Sequence, residues 1–559
     1  MRIVIVGGVA GGMSAAARAR RLDEHAEIIV LEKGPDVSFA NCGLPYHVSG
    51  DITSRDSLLL HTPATLRSTL NLDVRVHTEA TAIDRQARAI TAKGPDGEYQ
   101  LTYDALVLAP GASAAVPPIP GIDLPQVTHL RTVDDATGLA SRVENARSAV
   151  VMGAGFIGLE TAEALRTRGL DVTVVELAPQ VLPPLAPELA HLVEQELVSN
   201  GVSVRTGVAA TAITAQGADH ADAVIVSLGD GTAVPADIVV VSVGVRPNTA
   251  LAKAAGLDLD ERGAILVDAE QRTSDPHVWA VGDATAVPHA ITGTTAPVPL
   301  AGPANRQGRR AAESILGVAT PAKPVLGTAI VRVFGLTAAL TGASPRMLDA
   351  AGIEHVQHHT HHANHAGYYP GAQQMHMLAT FSPDGTLLGA QGVGREGVDK
   401  RIDVLATALR AGFGADDLAE LELAYAPPYG SAKDPVNMLG FMMQNHVSGI
   451  LTTWGASDVE WARANALIVD VRSPAEFARG HLPEAINVPH TEVRARLDEI
   501  RTAAAGKPVR VHCASGFRSY LAHRILTQAG IDSANFDGGM LTMAAALPHL
   551  PLIREDGAR

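Results

Sequence analysis

Cysteine is nearly absent: Cys42 and Cys513 are the only two in 559 residues. So few thiols exclude the disulfide framework of a secreted scaffold and point to a reducing cytosol. Cations are short as well, with 44 Lys and Arg against 59 Asp and Glu. The formal charge of −15 argues against nucleic acid or an anionic membrane as partner, since both need a cationic excess. No uncharged apolar stretch reaches the roughly 20 residues of a spanning helix. "MRIVIVGGVAGGMSAAARAR" opens like a signal peptide, basic and then apolar. Four glycines break that run at once, and the same strand–glycine–helix pattern returns internally, so it reads as part of the fold. The 46% hydrophobic content, rich in Gly, Ala and Val, suits buried parallel strands, and the length suits roughly three to four domains.

"RIVIV" at 2–6 predicts a buried strand, "GGVAGG" a turn, residues 13–23 a helix and "EIIVLEK" a second parallel strand. Residues 149–176 repeat the pattern, and there Gly153, Gly155 and Gly158 fit G-x-G-x-x-G. Tight turning, close backbone approach to a pyrophosphate and helix–strand packing each require a missing side chain. The helix N-terminus then offers free N–H groups and a positive dipole end. Glu176 ends the next strand, where a carboxylate accepts from a ribose 2′-OH and repels a 2′-phosphate. No Arg follows it closely, which favours NADH over NADPH. The first turn is less regular, with Gly7 and Gly12 in the outer positions and Val9 in the middle, but Glu32 restores the ribose partner. An ordinary βαβ turn without ligand is the bland alternative, and two turns with matched acids weigh against it. Gly111 in "APGA" and Asp283 in "VWAVGDA" are further candidates for the cofactor.

Through "GGVAGG…LEKG", "APGA", "GAGFIGLE…VVE", "VGVRPN" and "VWAVGDA", about the first 320 residues resemble the FAD- and NAD(P)-linked disulfide reductase superfamily. The resemblance implies an α/β chain. A Rossmann-like FAD-binding domain would cover 1–115 and 245–324, an NAD-binding domain 116–244, and an α+β dimerisation domain 325–446. Residues 447–456 read as a linker before a compact α/β unit at 457–559. Gly7, Gly12, Glu32, Gly111 and Asp283 would hold FAD, and Gly153, Gly155, Gly158 and Glu176 would hold NADH.

Cys42 sits in "SFANCGLPY" with no second cysteine nearby. Its redox partner is therefore external, or it cycles through a sulfenic acid. The Asn-Cys-Gly-Leu-Pro-Tyr run resembles the coenzyme A-disulfide reductase branch. Peroxidase relatives carry a His in the first turn, where this chain has Val9 and Ala10. Ser14, Arg18 and Arg21 share one helical stripe, and guanidiniums on a stripe can grip phosphates bidentately. A solvated helix face is the alternative. By resemblance this stripe, with Ser38, Asn41, Asn305 and Lys433, lines a coenzyme A site. The family also brings one tyrosine from "AGYYPGA" and one from "AYAPPYGSAKDP" to the partner subunit's thiol as proton donors. These are Tyr368 or Tyr369 in the first segment, Tyr368 being taken as the candidate, and Tyr425 in the second; core tyrosines are the alternative.

The run "HVQHHTHHANH" at 355–365 invites a metal reading, but its spacing is irregular and no Cys or paired acids accompany it, so no metal is expected. Cys513 opens "CASGFR", a loop that can aim backbone N–H groups at the sulfur. Four residues separate Cys513 from Arg518, where a tyrosine phosphatase loop has five. With "DVRSPAEFARGHLPEAINVP" and "DGGM", the last hundred residues resemble a rhodanese domain, in which Asp470 and Arg472 would support the loop. Met543 stands where many rhodaneses have Trp. The resemblance implies a cytoplasmic homodimer with FAD, NADH and coenzyme A, reducing small thiol persulfides, polysulfides or coenzyme A disulfide. Cys42 would be the redox thiol and Cys513 a sulfane-sulfur carrier. An NADH oxidase or peroxidase, and a redox-sensing sulfur carrier that does not turn over, are the alternatives.

Overall fold

The computed structural model describes residues 1–216, 223–318 and 320–555. It divides into two compact units, Met1–Pro179 with Leu197–Gly327, and Gln180–Glu196 with the chain from Thr328 onward.

The first unit carries two parallel five-stranded sheets. One orders Val278–Ala280, Ala105–Leu108, β1 (Arg2–Val6), β2 (Glu27–Leu31) and Asp73–Arg75. The other orders Ser203–Arg205, Asp171–Val175, β3 (Ser148–Met152), Ile238–Val241 and Val127–Thr128. Nearly every central strand residue is buried on both faces, which explains their unbroken apolar runs. The first helix, α1 (Ala10–Leu22), begins three residues earlier than the sequence predicts. Half of "GGVAGG" is therefore turn and half is helix, because the helix starts directly against the strand end. A Cβ on Gly12 would collide with the Gly7 carbonyl oxygen, and one on Gly308 with that of Gly11. The second contact lets α1 lie close along α2 (Ala301–Ile315). The helix after β3, α3 (Phe156–Thr167), likewise begins right after its turn, and Gly158 meets the Gly153 carbonyl as Gly12 meets Gly7.

The second unit holds an antiparallel sheet ordered Ala329–Val333, Leu336–Gly342, Leu387–Gly394, Met375–Phe381 and β4 (Val356–Thr360), with helix Val398–Ala411 where the sequence places it. Residues 180–196, expected with the NAD-binding domain, belong to this unit. The Ala186 N–H donates to Gln391 Oε1 at 2.7 Å and Arg395 Nη2 to Glu196 Oε2 at 2.9 Å. A parallel sheet follows, ordered Thr453–Trp454, Ser533–Phe536, β5 (Val509–His512), Leu467–Asp470 and Ala485–Asn487. The stretch read as a linker is thus partly built into it: Leu451 and Trp454 are buried, and Trp454 Nε1 donates to the Val511 carbonyl at 3.2 Å. Met543 is fully buried, packing in a core cluster with Trp454 and Phe536, so aromatic bulk comes from other positions. Among the described residues, no helix is long and apolar enough to cross a membrane.

Gly12→Ala tests the helix–strand contact. It is expected to lower stability by about 1–3 kcal/mol, the cost of overpacking, and to reduce FAD retention, read by urea unfolding and by flavin absorbance of the purified protein.

Candidate functional site

The two glycine turns share one geometry. Gly7 and Gly153 adopt φ of +99° and +100°, a region that favours glycine. Glu32 accepts from the N–H groups of Gly8 and Gly34, both at 2.7 Å. Glu176 accepts from Ala154 at 2.6 Å and Ala178 at 2.7 Å. Each carboxylate is thereby fixed beside its turn, with lone pairs left for ribose hydroxyls. A Cβ on Gly155 would meet open space, which suits a phosphate approaching the backbone, and the buried Ser242 Oγ at the same turn has no hydrogen-bond partner among the described residues. Gly111 also turns at positive φ, +65°, toward open space. Asp283 lies in the short helical turn Gly282–Ala284 and pairs with Arg131 Nη2 at 3.0 Å. Both turns have the room and the paired carboxylate that a dinucleotide needs.

Cys42 occupies the 3-10 turn Asn41–Gly43, just ahead of helix Leu44–Ser49, and is a free, exposed thiol. Gly43 packs closely there, since a Cβ would press on the end of the buried Leu58 side chain. Asn41 Oδ1, next in sequence to the thiol, is buried without a hydrogen-bond partner among the described residues. Ser38 holds the segment in place at φ +52°, its N–H donating to the Gly8 carbonyl at 2.8 Å. Burial, then Glu160 and Asp283, raise the Cys42 thiol above its ordinary range, and Arg131 opposes them. The chain's own charges therefore favour the thiol over the thiolate. Tyr46 donates to that same Glu160 at 3.1 Å.

The expected phosphate stripe on α1 is not uniform. Ser14 Oγ donates to Asn305 Oδ1 at 2.5 Å, and Arg18 pairs with Glu313 at 2.8 Å. Both therefore face α2, and a phosphate would have to compete with a carboxylate for Arg18. Arg21 is exposed. Its neighbour Arg20, not singled out by the sequence, is buried and donates to the carbonyls of Leu70, Asp23, Glu24, Ala26 and Asn71, a structural role.

In the second unit the two tyrosine segments meet. The hydroxyls of Tyr368 and Tyr425 are 3.1 Å apart, and both rings are exposed. Tyr369 instead stands edge-on to His365. The buried Arg401 joins the segments, donating to the Asn364 carbonyl and to Asp434, each at 2.8 Å, and the Ala366 N–H donates to Gly430. Lys433 is exposed beside them.

Cys513, fully buried, follows β5 and precedes helix α4 (Phe517–Gln528). Its sulfur accepts from the Gly516 N–H at 3.2 Å and from Ser519 Oγ at 3.3 Å. Arg518 forms a fork with Glu476, at 2.8 and 2.7 Å, which holds the Glu476 carboxyl down at about 2. Sequence reading missed Glu476, although its place in the Ser473 capping box was visible. Asp470 and Arg472 pair below the loop, and Arg472 Nη2 also donates to the Gly480 carbonyl at 2.7 Å.

Two dinucleotide turns around a lone accessible thiol, with a second thiol in a separate cradle, define a two-cofactor redox chain fused to a sulfur-handling domain. The chain belongs to the pyridine nucleotide-disulphide oxidoreductase family. That family's model matches residues 1–308, its dimerisation domain 328–435, and a rhodanese-like domain 458–546. Among relatives, an NADH oxidase of Methanocaldococcus jannaschii is 36% identical, covering 78% of this chain and 97% of its own. A coenzyme A disulfide reductase of Staphylococcus haemolyticus is 34% identical, covering 79% and 98%. Among solved structures, reduced CoADR-RHD of Bacillus anthracis matches with TM-score 0.95, 41% identity and 99% of both chains. An NAD-dependent persulfide reductase from A. fulgidus matches with TM-score 0.90 and 39% identity, over 97% of this chain and 100% of that one.

Glu160→Gln removes one of the two carboxylates that raise the Cys42 thiol. Its pKa should fall, so alkylation of Cys42 in the holoenzyme near neutral pH should become several-fold faster, read from the pH dependence of iodoacetamide labelling.

Proposed function

We propose that this chain is an NADH-dependent flavoprotein reductase acting on coenzyme A disulfide and on persulfides of small thiols, working as a homodimer in the cytoplasm. The observation that carries the reading is Cys42, an accessible thiol with no second cysteine to close an internal disulfide. Such a thiol takes an external sulfur partner or cycles through a sulfenic acid, and a disulfide reductase and a persulfide reductase among the similar proteins favour the first. As thiolate, Cys42 attacks a sulfur of the disulfide; a mixed disulfide with coenzyme A forms and the second coenzyme A leaves as thiolate. On a coenzyme A persulfide the same attack at the carbon-bound sulfur expels hydrosulfide. FAD, when bound, supplies the two electrons from NADH that cleave the mixed disulfide and return Cys42 to the thiolate. Tyr368 and Tyr425, sharing a hydrogen bond, are suited to give a proton to the departing sulfur. Ser14, Arg21, Ser38, Asn41, Asn305 and Lys433 are candidates to hold coenzyme A; Arg18 could join them only by leaving Glu313.

Cys513 takes up sulfane sulfur as a persulfide and passes it to the coenzyme A thiol, regenerating its own thiol and making the substrate for Cys42. The cradle of Gly516 and Ser519 around Sγ supports this role, with Arg518 at the loop's end. The oxidase reading is favoured by one observation, the Methanocaldococcus jannaschii relative, and it would route Cys42 through a sulfenic acid. No acid–base side chain stands at Val9 and Ala10 to serve that route.

Cys42→Ser should abolish NADH oxidation with coenzyme A disulfide and with coenzyme A persulfide while leaving FAD bound. NADH consumption confined to oxygen or peroxide would overturn the reductase reading. Replacing both Tyr368 and Tyr425 by Phe should lower kcat by roughly 10²-fold, the scale of a lost general acid, with less effect on KM.

A further inference from the structure

The histidine run at 355–365 does not form a metal cluster among the described residues. Three of its members, on β4 or just past it, reach the segment Asp537–Thr542 of the rhodanese-like domain. His359 is central. Its N–H donates to Asp537 Oδ2 at 2.9 Å and its Nδ1 to the same oxygen at 2.5 Å, while Nε2 donates to Glu188 Oε1 at 2.6 Å. His358 Nδ1 lies 3.3 Å from Asp537 Oδ1, and His361 Nε2 shares a hydrogen bond with Thr542 Oγ1 at 2.8 Å. His359 and Asp537 are both buried. A buried imidazole bonded through both nitrogens to carboxylates is an imidazolium. Burial works against that charge, but Asp537 and then Glu188 outweigh it and hold the ring protonated up to about 10. The charged and titratable groups facing it are Asp537, Glu188, His358 and His361, with His446 stacked edge-on to His358.

The far side of the same segment backs the sulfur cradle. Two residues past Asp537, a Cβ on Gly539 would press on the Cys513 carbonyl oxygen and the Gly516 nitrogen. The Met540 N–H donates to the Cys513 carbonyl at 2.8 Å and the Leu541 N–H to Ala514 at 3.0 Å. On the opposite side Gly538 leaves no room, since a Cβ there would crowd His359 Cβ. Hydrogen bonds thus join Glu188 to His359 and His359 to Asp537, and three residues further along the same segment the Met540 N–H holds the Cys513 carbonyl.

We infer that the strip His358–His361 is a dock for the sulfurtransferase loop, and that His359 is a positioning residue that sets the Cys513 cradle through Asp537. The inference rests on Cys513 being a sulfur carrier. Asn535 Nδ2, which donates to the Gly516 carbonyl, and the Arg518–Glu476 fork also hold the loop after Cys513; the dock fixes Asp537 and Gly538, next to the Gly539 wall, so the donors around Sγ keep their aim. Losing the link would let Asp537 and the following glycines relax away from the cradle without removing any group that touches the sulfur.

Loading of the full-length holoenzyme with thiosulfate tests this. The Cys513 thiolate takes the outer sulfur, sulfite leaves, and the persulfide is read by mass after rapid quenching. His359→Gln and Asp537→Asn should each slow loading about tenfold, well within the cost of a small misplacement, through kcat with KM for thiosulfate little changed. Combining them should cost no more than either alone, because both cut one link. NADH oxidation with coenzyme A disulfide should be unchanged, which also shows that the variants are folded. If either variant is unfolded, Glu188→Gln, which removes only the outer carboxylate, takes its place and should slow loading in the same sense. Loading at the unsubstituted rate in these variants, or losses that add in the double variant, overturns the inference alone. Failure of the unsubstituted protein to gain sulfur at Cys513 overturns the sulfur-carrier reading on which it stands.

Discussion

The contact of one glycine with another glycine's carbonyl oxygen governs the nucleotide-binding half of this molecule. Gly12 lies against the Gly7 carbonyl and Gly158 against that of Gly153, and no side chain fits in either place. With the gap closed, α1 and α3 begin at the strand ends, so free helical N–H groups face the crevice where a pyrophosphate belongs. The adjoining carboxylates, Glu32 and Glu176, are then within reach of backbone N–H groups of their own turns. Each is held beside its turn before any ligand arrives. The missing middle glycine of the first turn matters little in this light, because Val9 stands at the helix cap rather than in the contact.

The two thiols have opposite surroundings, and this sets what each can do. Cys42 is accessible on a short helical turn, where partial burial and then the carboxylates Glu160 and Asp283, against Arg131, favour the protonated form. Cys513 is buried, and a backbone N–H and a hydroxyl already point at its sulfur. These donors hold the sulfur in place within the loop without calling on a bound cofactor.

Local chemistry made much of this legible in the sequence. Strand, glycine turn, helix and acid lie within about thirty residues of each other, so spacing made the second turn legible, the first was legible only with its acid and the second copy beside it, and "CASGFR" pointed to the cradle. The resemblance supplied the order of domains. Misplaced features have local causes too: the small residues that let α1 start early look like turn residues, and Thr453–Trp454 is too short a strand to read by alternation. What stayed hidden joins distant positions. Arg401 and Asp434 are 33 residues apart, Glu476 and Arg518 42, and His359 and Asp537 178. Nothing in the periodicity near Arg18 signals that Glu313 neutralises it, since that partner lies on α2.

The histidines show why composition misleads when the fold is unknown. Clustered imidazoles are equally compatible with a metal, a solvated strand or a charged interface, and irregular spacing separates only the first from the rest. Burial decides between the others. On β4, His358, His359 and Thr360 are all buried, which a solvent-facing edge would not produce. A buried imidazole needs acceptors for its N–H groups, and here they come from Asp537 and Glu188, one on each side of His359. The strand is therefore polar because it faces another polar surface, and that surface continues directly into the wall of the Cys513 cradle. A residue run that looks like a ligand set is, in physical terms, the seam along which two domains are held in register.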